Sequence, residues 1–203
     1  SLALLDLLLR YRARASISFE LFALHVVGTA VGLPDVTGVL APWLAGRGVD
    51  YHFVDLEPRP GDTLPLGCFR CARNRRTALF KAAAALDAQK VALGHHADDA
   101  AVTTLLNLLF TGRVRTMEPR REFFDRRLTV IRPLIYVPAK ELARYGRVAG
   151  FPAVPACPHE SDVHRQQLAD FLRGFGRHQG RIRANLLRAA RGEEGFTAED
   201  AES

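Results

Sequence analysis

Apolar and polar positions along this chain switch between a helical and an alternating period. Leu2 to Tyr11 is leucine-rich and predicts a helix. Phe19 to Val27 predicts a strand that stops at Gly28, and Val36 to Ala45 a helix closed by Gly46 and Gly48. Val49 to Leu56 (VDYHFVDL) alternates as a strand does, and a loop marked by Pro58, Pro60, Gly61 and Pro65 follows. Cys71 to Leu86 predicts a helix with an alanine-rich centre, Lys90 to Gly94 a short buried strand, and Asp98 to Phe110 a helix with carboxylates in its first turn. Arg113 to Arg127 is charged and irregular and reads as a loop, and Leu128 to Leu134 as a strand. Helices are expected over Pro138 to Ala149, Ser161 to Phe175 and Ile182 to Arg191, the first with proline at its start and Gly150 past its end.

Strands that alternate with helices imply an α/β domain built on a parallel sheet. In such sheets ligands sit beyond the carboxyl ends of the strands. The loops after Val27, Leu56 and Leu93 are therefore where chemistry is expected. With 203 residues the chain is long enough for one well-buried domain and a small appendage. No stretch approaches the roughly 20 apolar residues of a membrane span. The opening Ser1-Leu-Ala-Leu-Leu-Asp reads as the inside of a helix with no basic leader, so a cytoplasmic protein without membrane contact is expected.

The net charge is +6, and lysine occurs only at 81, 90 and 140, so arginine carries nearly all the positive charge. The guanidinium fork binds oxyanions bidentately, which suits phosphate and RNA. Arg70, Arg73, Arg75 and Arg76 surround one motif, and Arg113 and Arg115 open the irregular segment. Arg73, Arg75, Arg76, Arg113 and Arg115 are the candidate RNA contacts. Most charge runs are only solvated faces, and clustering beside a second motif is what raises these above that reading.

Two motifs carry chemistry. Gly94-His95-His96-Ala97-Asp98-Asp99 follows an apolar strand and opens a helix. Carboxylates there can hold a divalent ion, and histidines can touch phosphate or move a proton. The plain alternative is that Asp98 and Asp99 only cap the helix. The other motif is Cys68-Phe-Arg-Cys71 with a distant Cys157 in a proline-flanked loop, the only three cysteines of the chain. An odd count argues against a disulfide framework, and the C-x-x-C spacing points to zinc, an iron–sulfur cluster or redox chemistry. Three thiolates leave one coordination position open, as a catalytic centre requires; His159 as a fourth ligand would close a Cys₃His zinc site.

The run CFRCARNRRTALFKAAAALDAQKVALGHHADDAAVTTLLNLLF, then IRPLIYVPAKELARYGRVAGFP, the Cys157 loop and HRQQLADFLRGF resemble the tRNA 2-thiocytidine synthetases. Those are PP-loop ATP pyrophosphatases related to the thiouridine synthetases, and the likeness covers roughly residues 66 to 190. The resemblance implies a Rossmann-like adenine nucleotide alpha hydrolase fold with a C-terminal helical extension. It implies ATP with Mg²⁺ at the sheet edge, and adenylation of the 2-oxo group of an anticodon-loop cytidine in tRNA. Sulfur then displaces AMP. Cys68, Cys71 and Cys157 match the family's holders of a [4Fe-4S] cluster whose open iron carries sulfur, supplied by a cysteine desulfurase or inorganic sulfide. Asp98 and Asp99 match the acidic pair near the phosphates. Gly94, His95 and His96 adjoin them, and His25-Val26 resembles the strand end that lies against adenine. The resemblance also allows a homodimer.

Three departures stand beside it. The family's phosphate loop reads S-G-G-K-D-S before a leucine-rich helix, so Ser1 matches its last residue and an N-terminally truncated sequence that binds ATP poorly is expected. The family has Glu-Thr where this chain has Val102-Thr103, and its second cysteine region is longer than the loop around Cys157. The organisation expected is an α/β PP-loop domain over 1–150 lacking its first strand, a cysteine loop with helices over 151–191, and a flexible tail over 192–203. The competing functions are thiouridine or lysidine formation by the same fold, and a zinc-stabilised RNA-binding module without catalysis.

Overall fold

The computed structural model describes residues 1–155, 157 and 162–192. The tail expected beyond Gly192 and the residue His159 lie outside the described residues. Helix α1 (Leu2–Arg12) leads to strand β1 (Phe22–Val27), helix α2 (Thr37–Ala45) and strand β2 (Asp50–Asp55). Helix α3 (Cys68–Ala85), strand β3 (Lys90–Ala92) and helix α4 (Ala97–Thr111) follow. Strands β4 (Arg120–Phe123) and β5 (Leu128–Ile131) precede helices α5 (Ala139–Val148), α6 (Val163–Gly174) and α7 (Gln179–Ala190).

The strands form two small sheets. β1 pairs with β2 in parallel, with His25 opposite Phe53. β5 lies between β3, to which it is parallel, and β4, to which it is antiparallel. Among the described residues β1 and β3 are not hydrogen-bonded to each other. Helix α3 bridges the two sheets. At its start Cys71, Ala78 and Leu79 pack on Val26, Val31, Leu56 and Leu66. Farther on, Ala83 and Phe80 pack with Val91, Leu128 and Leu24. This continuous apolar stripe holds the sheets together without a shared strand ladder.

The segment from 113 to 127 is not all loop. Its end pairs as β4, with Phe124, Asp125 and Arg126 at positive φ making the reversal into β5. Arginine and glutamate on an exposed edge strand carry no apolar alternation, so periodicity does not reveal it; charge there also discourages edge-to-edge association. Helix α3 begins three residues earlier than the apolar pattern predicts, so the C-x-x-C lies inside its first turns.

Helices α6 and α7 pack on α4. Ala101 and Val102 meet Leu172, Leu168 and Leu186 in one apolar cluster. Val102 is buried there, so its aliphatic side chain is explained by packing. Among the described residues, no helix is long and apolar enough to cross a membrane.

Candidate active site at the strand ends

Helix α4 opens beyond β3, and its first turn is closed by a capping box. His96 N–H donates to Asp99 Oδ2 (3.0 Å), and Asp99 N–H donates to His96 Nδ1 (3.3 Å). The sequence reading gave the cap to the carboxylates; the structure shares it with a histidine. Asp98 is committed elsewhere. Its Oδ2 accepts from Ala139 N–H (2.7 Å) and its Oδ1 from Arg183 (2.9 Å). One carboxylate thus ties the starts of α4 and α5 to α7.

Ser1 stands at the N-cap of α1 without a side-chain capping bond, and its backbone lies against Gly94. A Cβ at Gly94 would come within 3.0 Å of Ser1 Cα, tighter than most side-chain carbons approach backbone, so a larger residue there would have to push Ser1 aside. At Gly28, past the end of β1, a Cβ would instead meet the Leu33 side chain, 2.5 Å from its Cδ1. The loops beyond β1 and β3 therefore sit close to neighbouring chain.

His95 is half-buried beside Arg132, whose Nε donates to His95 Nδ1 (3.3 Å). Burial, then the charges of Arg132, Arg76 and Arg165, push its pKa down against the pull of Asp99. His95 is therefore neutral at physiological pH, with Nδ1 accepting and Nε2 left as a donor. Burial and the charges of Arg76 and Arg121 lower the pKa of Arg132 too, so like-charged guanidiniums are gathered at this edge. Arg165 on α6 also donates to Thr103 (3.2 Å). From the sequence, Arg165 and Arg183 stand only among the many arginines of the last helices, and Arg132 only inside the IRPL motif.

The second cluster lies at the start of α3. Cys68 and Cys71 sit in the first turn of the helix, which Gly67 caps with no side-chain bond and which carries no acidic residue. Burial raises the pKa of Cys71, Arg75 lowers it, and the charges of Cys157 and Cys68 raise it again. Cys68 and Cys157 thus lie near enough for their charges to act on Cys71. Among the described residues no three His, Cys, Asp or Glu side chains are drawn tightly enough to hold a single metal ion. A cluster spreads its cysteine ligands over separate irons and suits a looser thiol set than one zinc does. The donor set, three cysteines and no carboxylate, fits an iron–sulfur cluster on chemistry.

The turn is anchored from the other side by Asp62, which the sequence reading passed over. It accepts from Arg59 N–H (2.8 Å), Asn74 Nδ2 (2.7 Å) and Arg70 (2.9 Å). These bonds, led by the one from Arg59, hold its carboxyl below the usual carboxylate range. His25, at the end of β1, packs edge-on against Phe53 and feels Arg75, so the β1 end lies near the cysteine-bearing helix. Burial and then Arg75 lower the pKa of His25. Beside it Val26 is buried. Arg75 thus relates Cys71 to the His25 strand end, while Arg76 relates α3 to His95. Arg73 is exposed on the same helix. Arg113 and Arg115 follow α4, and the chain then turns back along it: Asn107 Nδ2 donates to the Arg115 carbonyl (2.8 Å) and Thr116 to the Ala100 carbonyl (2.8 Å).

No family model matches the chain. Curated relatives do. A tRNA-cytidine(32) 2-sulfurtransferase from Variovorax paradoxus is 38% identical over 90% of this chain and 61% of its own length. One from Alkalilimnicola ehrlichii is 38% identical over 93% of this chain and 62% of its own length. One from Polynucleobacter necessarius is 36% identical over 93% and 64%. The chain thus spans somewhat less than two thirds of the relatives' length. Among solved structures, the U34-tRNA thiolase NcsA from Methanococcus maripaludis with its [4Fe-4S] cluster superposes with a TM-score of 0.74 at 19% identity, covering 95% of this chain and 67% of that one. The resemblance read from the sequence is supported by homologues across nine tenths of the chain, and the fold is the PP-loop α/β fold.

Proposed function

As a relative of the tRNA-cytidine(32) 2-sulfurtransferases, we propose, this chain is the larger part of an ATP-dependent tRNA-thiolating enzyme that replaces the 2-oxo oxygen of a cytidine by sulfur. The observation that carries the reading is helix α3. Its first turns bear Cys68 and Cys71 beside Cys157, and its next turn sets Arg75 toward His25 and Arg76 toward His95. One rigid element thereby relates a sulfur-handling site to a basic strand-end site suited to nucleotide phosphate.

The chemistry requires both. A 2-oxo group is a poor leaving group, and adenylation by ATP converts it into one: its oxygen attacks the α-phosphorus, pyrophosphate departs, and AMP is later expelled by sulfur. Neutral His95, through Nε2–H, and the guanidinium of Arg132 would donate to the phosphates. Asp99, whose carboxylate is partly open, is the candidate for Mg²⁺. Asp98, held by Ala139 and Arg183, acts as a buttress. Cys68, Cys71 and Cys157 would hold a [4Fe-4S] cluster, which when bound supplies an iron to carry sulfide. The sulfur donor is a cysteine desulfurase or sulfide itself.

Splitting the two carboxylates gives a prediction. Asp98→Ala is expected to lower stability by about 2 kcal/mol, because it leaves a backbone N–H and a guanidinium without their acceptor. Asp99→Ala is expected to cost about 1 kcal/mol through the lost cap. Asp99→Asn, which keeps a hydrogen-bonding side chain, is expected to lose more activity than Asp98→Asn. Denaturant unfolding and ATP–pyrophosphate exchange measure the two. Equal activity losses would remove the division of roles.

The function itself is tested by mass spectrometry of tRNA nucleosides from a strain lacking the gene. Loss of 2-thiocytidine, restored by the intact gene, is the expected result. Unchanged thionucleosides would sink the reading.

A further inference from the structure

Phe69 sits between the two cysteines of α3 with 79% of its surface exposed. Single exposed apolar side chains are ordinary, and this one is set apart by its company. At 100° per residue, Phe69, Arg73 and Arg76 fall within one arc of the helix, and Cys68 lies on the arc beside it. Arg73, Arg76 and Cys68 are all exposed. The arc runs from beside Cys68 toward His95 and Arg132, whose titration Arg76 perturbs. Asp62 and Asn74 hold the other side of the helix, so this face is left open. An exposed ring at one end of a row of arginines fits a flat, polyanionic partner: the ring meets a base face, and the guanidiniums meet the phosphates that continue along the row.

We propose that Phe69 is a stacking platform for an unpaired RNA base, with Arg73 and Arg76 holding the phosphates that continue along the row. The proposal rests on the RNA-thiolation reading and deepens it, assigning a substrate contact to a residue beside the sulfur site. A base extruded from a loop loses its stacking neighbours, and an aromatic face replaces them in a sequence-tolerant way. A protein partner with an apolar groove is the rival occupant, and the arginines on the same arc disfavour it.

The test uses the full-length protein purified anaerobically. Binding of a fluorescein-labelled RNA hairpin with an anticodon-sized loop is followed by anisotropy, with a fully paired duplex of equal length as control. Phe69→Ala is expected to weaken hairpin binding on the order of tenfold and to leave duplex binding unchanged. Phe69→Trp is expected to retain hairpin binding, and its fluorescence to be quenched by the hairpin and not by the duplex. Phe69→Leu should behave as alanine does. Arg73→Ala and Arg76→Ala should weaken both RNAs and each lower the salt slope by about one. Iron content should match wild type in all the Phe69 variants. Equal hairpin affinity of wild type and Phe69→Ala overturns the platform alone, as does full retention by Phe69→Leu or loss of iron in Phe69→Ala. If wild type fails to bind the hairpin, the RNA reading fails with it.

Discussion

Replacing Cys71 by alanine is expected to strip the protein of iron and to reduce thiolation more than about a hundredfold, beyond the ~10–100-fold typical of a residue that only supports a metal ligand. Cys71 is the innermost of the three thiols, packed against Val26, Leu56 and Leu66 and within reach of the charges of the other two. Its burial holds it protonated near neutral pH, and Arg75 works against that. Loading iron must therefore displace a proton, so occupancy should fall as pH drops. Cys68→Ala and Cys157→Ala, at exposed positions, are expected to lose iron and activity alike with little change in melting temperature. Iron and acid-labile sulfide analysis of anaerobic protein, beside single-turnover thiolation, reads all three variants. About four irons in wild type and none in the variants is the expected pattern. One tightly held zinc that survives Cys157→Ala would replace the cluster with a structural site and sever the cysteines from catalysis.

Much of this was legible in the sequence because the signals were local. The leucine period of α1, the alternation of β2 and the apolar strand before Gly94 each fix an element within a few residues. The two motifs fell where the strand-end rule places ligand sites. What stayed hidden depends on contacts far apart in the chain. Arg132 reaches His95 across 37 positions, and Arg183 reaches Asp98 across 85. No spacing rule connects such pairs. The start of α3 was misplaced because Gly67 offers no capping side chain and the first turn lacks the usual carboxylate. β4 escaped because an edge strand of charged residues has no apolar face. Val102, a puzzling loss of a carboxylate when set against related sequences, is simple once α6 and α7 cover it.

Asp6 is the clearest case of a residue that pattern reading passes over, and its removal is expected to be the most damaging single change to stability. It lies in the leucine-rich α1 with its side chain 4% exposed, which is rare for a carboxylate unless it is paired. It accepts from Tyr145 of α5 and from Arg47, which follows α2, and also from Arg10 (2.8 Å). Arg47 in turn stacks over Trp43, 4.2 Å from the ring centroid. Phe151 packs edge-on against both Trp43 and Tyr145. One buried anion therefore joins α1, α2, α5 and the chain that runs on toward Cys157. Asp6→Ala leaves the largely buried Arg47 without a counter-ion and should cost about 3–5 kcal/mol. In a chain of this size that corresponds to a melting temperature lower by about 10 °C. Tyr145→Phe should cost about 2 kcal/mol, and Arg10→Ala, at the exposed end, much less. Burial alone would raise the pKa of Asp6, but the bonds from Tyr145 and Arg10 and the charge of Arg47 prevail and hold it low. A carboxyl depressed in the folded state adds stability above its unfolded pKa of about 3.9, and that stability is lost as pH falls through the lower folded value. Wild type should therefore lose stability more steeply than Asp6→Asn below about pH 4. Parallel curves for the two proteins, or a loss under about 1 kcal/mol in Asp6→Ala, would mean that water screens the network as it does a surface pair.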